Sequence, residues 1–228
     1  MGQYYHPVNI DKREYLNPHR FGDGLKLLEF GNSSSGTMTA LALLLADGNG
    51  RGGGDLHTED ESIVGRWAGD RIVVAGDYAD EGRFVDPDDQ VAFENPVNLY
   101  QVTERFTDIS YDVLKVMCDD EYLARAVARN SSFGAGGDDE PEWLADLRIS
   151  EAKEWGKELK GQRCVSLGRY GCQEVAAGTQ GIIANTRCVR GGQLLCDIAW
   201  DNGQKTVREA MYLHDHDVIL LGKENSSV

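Results

Sequence analysis

Apolar residues in this sequence come mostly in short runs separated by Gly, Asp and Asn, and the run that organises the rest is Ile72-Val73-Val74-Ala75. It lies between Gly69-Asp70 and Gly76-Asp77. That pattern predicts a strand buried on both faces and bounded by turn residues. Ahead of it, Gln3 to Ile10 reads as a first strand, with Pro7 pushing it toward a sheet edge. Tyr15-Leu16 begins a second strand that stops at Asn17-Pro18, and Leu25 to Phe30 fits either a third strand or a short helix. Met38 to Ala46 is apolar nearly all round and predicts a central buried helix. The preceding serines and Thr37 offer N-cap oxygens, and Asp47-Gly48 offers the stop.

Beyond the central strand, Arg83 to Gln90 reads as a polar loop. Leu99 to Ile109 alternates enough to predict a strand, followed by a helix capped at Ser110. Asp119 or Asp120 caps a further helix through Arg129, and Glu142–Leu147 and Ser150–Lys160 read as two short helices. At Lys160-Gly161 the pattern changes to about five short strands, three of which are Arg163–Leu167, Leu194–Trp200 and Asp217–Leu221. Asp201-Asn202-Gly203-Gln204 supplies a hairpin turn between two of the five. The expected architecture is an α+β (or α/β) domain over 1–160, with a central buried helix and a mixed sheet. A small β barrel over 161–228 follows it.

Charge sharpens that division. The 228-residue chain carries a net charge of −15. Residues 1–160 hold 16 basic and 31 acidic side chains, whereas 161–228 hold seven of each. An acidic body repels phosphate backbones, so direct nucleic-acid binding by 1–160 is not expected. Such a body suits a basic partner, divalent cations or imitation of a nucleic acid, and it also serves solubility alone. No apolar run reaches the length of a membrane span, and the N-terminus lacks the pattern of a secretory signal. Five cysteines without a C-x-x-C pair fit neither a disulfide framework nor a zinc ribbon, and point to thiols in a reducing cytoplasm.

Candidate chemistry gathers at the exit of the central strand. Gly76 to Glu81 places Asp77, Tyr78, Asp80 and Glu81 where α/β sheets commonly hold ligands, and Trp67 flanks the same strand as a possible stacking ring. Asp55 and His57, joined in space with Asp77, Asp80 and Glu81, would make an oxygen-rich site for Mg²⁺ or Ca²⁺. The same residues also fit a solvated acidic loop, and Trp67 fits core packing. Gly31 to Thr37 has the glycine spacing of a phosphate loop but no lysine. His214 and His216 read either as metal ligands or as a solvated loop before the last strand. Neither Gly-x-Ser-x-Gly nor a cysteine in a reactive context is present.

Gly161 to Val165, Gly178-Thr179-Gln180-Gly181-Ile182-Ile183 and Ile198-Ala199-Trp200-Asp201-Asn202-Gly203 resemble the small SH3-like barrels found as domains of unknown function in bacteria and phages. Ala177 stands where that pattern has proline. The opening Gly2-Gln3-Tyr4-Tyr5 and the motif Gly76-Asp77-Tyr78-Ala79-Asp80 resemble uncharacterised bacterial and phage proteins that begin the same way. The first resemblance implies a fold and no catalytic residue, and the second implies a real domain with no assigned activity. The preferred expectation is a non-catalytic, cytoplasmic interaction protein without a cofactor. Its acidic body would bind a protein partner, in the sharpest form a basic nucleic-acid-binding one. The alternative is a divalent-metal-dependent hydrolase acting on a phosphate-containing substrate.

Overall fold

The computed structural model describes residues 2–33, 35–49, 55–93, 95–130, 139–169, 174–189, 192–213 and 218–223. The chain is mixed α+β and divides into two compact units, Met1–Val127 and Ala128–Val228. The sequence boundary at Lys160-Gly161 lies inside the second unit, at the junction of its long helix and first strand.

In the first unit, β1 (Tyr5–Asn9), β2 (Glu14–Tyr15), β3 (Ile72–Gly76) and β4 (Thr107–Asp108) form one sheet in the order β3-β1-β2-β4. β1 is therefore interior rather than an edge. Pro7 is tolerated there because β2 is short: the Pro7 carbonyl accepts Leu16 N–H at 2.9 Å, and its missing donor falls where the ladder ends. β3 is the edge, antiparallel to β1 with Val74 opposite Pro7 and Ile72 opposite Asn9. Its expected double burial is not found. Ala75 is buried, Ile72 and Val73 are partly covered, and Val74 is 39% exposed.

One face of this sheet carries Val8 and Ala75 against Leu99 and Tyr100. α1 (Leu27–Gly31) resolves the ambiguity of Leu25 to Phe30 in favour of a helix. α2 (Thr37–Leu45) forms as expected but buries only Thr37, Ala40 and Leu44, leaving Met38 and Leu45 exposed. Its N-cap is Gly36, which makes no side-chain cap bond. The buried Asp23 carboxylate accepts both N–H and Oγ1–H of Thr37 at 2.7 Å.

A short helix, α3 (Pro87–Val91), replaces the expected loop. Asp86 caps it by accepting Asp88 N–H, and Pro87 sits at its first position. The strand expected over Leu99 to Ile109 is instead α4 (Leu99–Val102), a 3₁₀ turn over Thr103–Arg105 and two-residue β4. A capping box explains the difference. Asn98 accepts from Gln101 N–H, and Gln101 accepts back from Asn98 N–H. α5 (Ser110–Met117) is capped by Asp108 rather than by Ser110 itself, and the unit boundary falls within α6 (Glu121–Arg129).

In the second unit, the two short helices expected after residue 141 are one, α7 (Glu142–Leu159). Arg148 is buried within it and pairs with the buried Glu140. Five antiparallel strands follow: β5 (Gln162–Ser166), β6 (Gln180–Cys188), β7 (Leu194–Trp200), β8 (Lys205–Glu209) and β9 (Val218–Lys223). Their order is β8-β7-β6-β5-β9, and among the described residues β8 and β9 do not pair, so the sheet is not closed. β7 shows strict alternation. Leu194, Cys196, Ile198 and Trp200 face a core shared with Ala152 and Leu159 of α7. Gly156 is where helix meets sheet: a Cβ there would stand 2.9 Å from Thr186 Oγ1. Among the described residues no helix is long and apolar enough to cross a membrane.

Candidate functional site

The turn that leaves β3 is built from backbone bonds that carry its side chains outward. Asp77 extends the β1–β3 ladder by one step. Its N–H donates to the Tyr4 carbonyl at 3.0 Å, and its Oδ1 accepts Tyr4 N–H at 3.0 Å in place of a carbonyl. Ala79 N–H then donates back to the Gly76 carbonyl. Buried Asn98 donates from Nδ2 to the carbonyls of Asp77 and Ala79, at 3.0 and 3.3 Å, while its Oδ1 caps α4. Gly82 N–H closes on the Val97 carbonyl. With its backbone groups so engaged, the segment leaves Tyr78 64% exposed and turns Asp80 and Glu81 into solvent.

Charge on this segment is one-sided. Among the described residues Asp77, Asp80, Glu81, Asp86 and Asp88 form no ion pair, and the one cation within their segment, Arg83, lies over the Phe84 ring at 5.0 Å. Other carboxylates of the same unit are held. Asp89 is buried and takes a two-pronged contact from Arg13 at 2.6 and 2.8 Å. Those hydrogen bonds keep its pKa below the usual carboxylate value against the opposing effect of burial. Lys12 pairs with Asp70 and Arg71 with Asp11, so the start of β3 is neutralised while its end is not.

Trp67 does not join the exposed turn. It is fully buried, and its indole Nε1–H donates to Glu14 Oε2 at 2.8 Å. Arg66 holds the same carboxylate through Nε and Nη2, at 3.0 and 2.5 Å. Burial works against the charged form of Glu14, and the bonds from Arg66 and Trp67 outweigh it, leaving the pKa lowered. The ring therefore packs and anchors rather than stacking on a ligand.

Asp55 and His57 stand elsewhere in the unit. His57 lines a surface cavity of about 510 Å³ with Asp119, Asp120, Glu121, Tyr122 and Arg125, and Asp55 lines a neighbouring one with Leu43 and Tyr122. Thr58 Oγ1 donates to Asp119 Oδ2 at 2.6 Å, and Asp120 caps α6 through Leu123 N–H. Among the described residues no three His, Cys, Asp or Glu side chains come together as a metal-binding group. Asp55, His57, Asp77, Asp80 and Glu81 are thus not assembled into the proposed cation site. The His214–Asp215–His216 stretch lies outside the described residues.

Sequence reading also missed the residues that hold the turn. Asn98 reaches it from 21 residues away and Tyr4 from 73, and no local pattern announces contacts of that span. The turn presents an exposed aromatic ring and carboxylates that form no ion pair among the described residues, beside a sheet edge. No protein-family model matches the chain, and neither a curated protein nor a solved structure is significantly similar to it.

Proposed function

We propose that this is a non-catalytic interaction protein of bacterial or phage type, working in the cytoplasm, whose acidic first unit binds a basic protein partner. The observation that carries the reading is the contrast within that unit. Glu14, Asp70 and Asp89 are neutralised by Arg66, Lys12 and Arg13, whereas Asp77, Asp80, Glu81 and Asp88 form no ion pair among the described residues. Fixed like charges on a pinned backbone attract a cationic surface over roughly a Debye length, about 8 Å at physiological salt. The thiols of Cys164 and Cys196, buried in the second unit, suit a reducing compartment.

The second unit we read as an SH3-like open barrel serving as a further contact surface. Its strand order β8-β7-β6-β5-β9, with a 3₁₀ turn (Ala210–Tyr212) following β8, supports that reading. So do the register shifts at Ile183/Asn185 and Arg163/Cys164, which let long strands bend.

Affinity capture by the full chain at about 150 mM salt tests the function. The wild type is compared with the Asp80→Asn, Glu81→Gln, Asp86→Asn, Asp88→Asn variant. Basic proteins retained by the wild type and lost by the variant are expected. Equal recovery by both, or no specific recovery by either, contradicts the reading.

A further inference from the structure

The phase of the β1–β3 ladder decides which backbone groups of β3 are used. Ile10 N–H donates to the Arg71 carbonyl, and Asp77 N–H donates to the Tyr4 carbonyl. Residues 71 and 77 therefore occupy hydrogen-bonded positions, and by the alternation of antiparallel pairs so do Val73 and Ala75, opposite Val8 and His6. Ile72 and Val74 fall between them. Their N–H and C=O groups point away from β1, toward the open edge, and no other described strand pairs there.

Sheet edges in native proteins are ordinarily blunted by charge, proline or brevity. Two other edges in this chain follow that rule: β4 is two residues long, and β8 carries Lys205, Arg208 and Glu209. β3 does not. Ile72-Val73-Val74-Ala75-Gly76 has no charged residue and no proline, and Val74 is exposed on it. An unblunted edge with a β-branched side chain outward is a template for another strand.

The charges beside the edge select what can pair. Asp77 follows its last residue directly, Asp80 and Glu81 stand in the same turn, and none of the three is in an ion pair among the described residues. A second copy of this chain, paired antiparallel about a two-fold axis, would set each acidic turn beside the start of the other β3, where Lys12 and Arg71 are already paired with Asp70 and Asp11 and leave no cation for it. A segment bearing Lys or Arg meets them favourably.

We propose that the open edge of β3 accepts an extended, basic peptide segment of a protein partner by strand addition, with the backbone of Ile72 and Val74 supplying the ladder and the turn at Asp77–Glu81 holding a cationic side chain. This rests on the basic-partner reading above and specifies its mode. The backbone bonds provide affinity independent of sequence, and the acidic turn provides the choice of partner.

Calorimetry on the full chain tests it with an alternating lysine–valine peptide of about seven residues, a twin N-methylated at alternate amides, and a glutamate–valine control. The lysine peptide is expected to bind, the N-methylated twin about ten-fold more weakly, and the glutamate control not at all. Val74→Pro removes an outward donor that the native ladder does not use, and is expected to weaken the lysine peptide about ten-fold. Asp80→Asn with Glu81→Gln should weaken it and flatten its salt dependence. Equal binding of parent and N-methylated twin overturns strand addition whether or not Val74→Pro folds, while leaving the acidic-surface reading intact. Absence of binding by the lysine peptide overturns both. Edge-dependent dimerisation of the wild type in sedimentation, abolished by Val74→Pro, would assign the edge to a second copy and overturn the proposal.

Discussion

Trp67 and Glu14, 53 residues apart, are joined by a 2.8 Å hydrogen bond from the indole N–H to a carboxylate that Arg66 also grips. This contact fastens the segment before β3 onto β2, across β1, and so fixes where β3 begins. Replacing Glu14 with Gln leaves Arg66 without its anion and keeps only one acceptor for the indole. The expected cost is about 2 kcal/mol, below that of a fully buried pair because Arg66 is partly solvated. Denaturant unfolding at neutral pH measures it. A loss near zero would mean that the contact forms without contributing.

His6 makes the first unit sensitive to mild acid. It stacks on Tyr100 at 4.4 Å and lies 5.0 Å from Tyr15. Thr103 Oγ1 donates to the Tyr100 carbonyl, so it accepts from His6 Nδ1–H at 3.2 Å. Burial, with a smaller contribution from His19, lowers the His6 pKa from 6.5 to about 4. The unfolded chain therefore binds a proton that the folded chain refuses between these values, and stability falls as pH drops from 6.5 toward 4. The full effect is about 3 kcal/mol or less. Denaturant midpoints between pH 7 and 5 should decline in the wild type and decline less in His6→Gln. Parallel slopes in the two proteins would remove His6 from the explanation.

Below that window Glu14 and Asp89 take over. Their folded pKa values lie under the ordinary 4.5 and 3.8, so their contributions are present above those values and are lost as pH falls through the folded ones. Arg13→Gln should flatten the acid limb of stability below about pH 4 by releasing Asp89. An unchanged acid limb would show that the Arg13–Asp89 contact does not persist in solution.

Gly156→Ala tests the packing of α7 on its sheet. Helix propensity favours alanine by about 1 kcal/mol. The new Cβ would stand 2.9 Å from Thr186 Oγ1 and 3.3 Å from Leu194 Cδ1, and Thr186 donates to the Gly156 carbonyl at 3.2 Å. Net destabilisation of about 1 kcal/mol is expected, partly recovered in the Gly156→Ala, Thr186→Ala double variant. Stabilisation by Gly156→Ala alone would place the helix farther from β6 than it stands here.

Thiol chemistry reports on the second core. Cys196 is fully buried, and burial, the Asp197 carboxylate and Cys164 push its pKa up to about 12. Neither Cys196 nor Cys164 should react with iodoacetamide at pH 8 in the native protein, and both should react in denaturant. Native labelling of Cys196 within minutes would contradict the packing described.

The strands of the second unit were legible because β7 alternates with period two and Asn202-Gly203 marks its hairpin. Ile72–Ala75 was legible as a strand but not as an edge. A continuous β-branched run reads alike whether one face or both are covered, and only the pairing partners decide. Leu99–Val102 was lost to β propensity because the Asn98–Gln101 capping box outweighs it. At the candidate site, Gly76 to Glu81 announced a turn. The burial of Trp67 on Glu14 and the placing of His57 beside Asp119 depend on contacts more than fifty residues apart, beyond any local periodicity.

Amide hydrogen exchange across β3 probes the open edge most directly. Val73 and Ala75 N–H groups, bonded to β1, should exchange about a hundred-fold more slowly than those of Ile72 and Val74. Equal and strong protection at all four positions in the isolated protein would mean that the edge is already covered, and strand addition by a basic partner would have no place to occur.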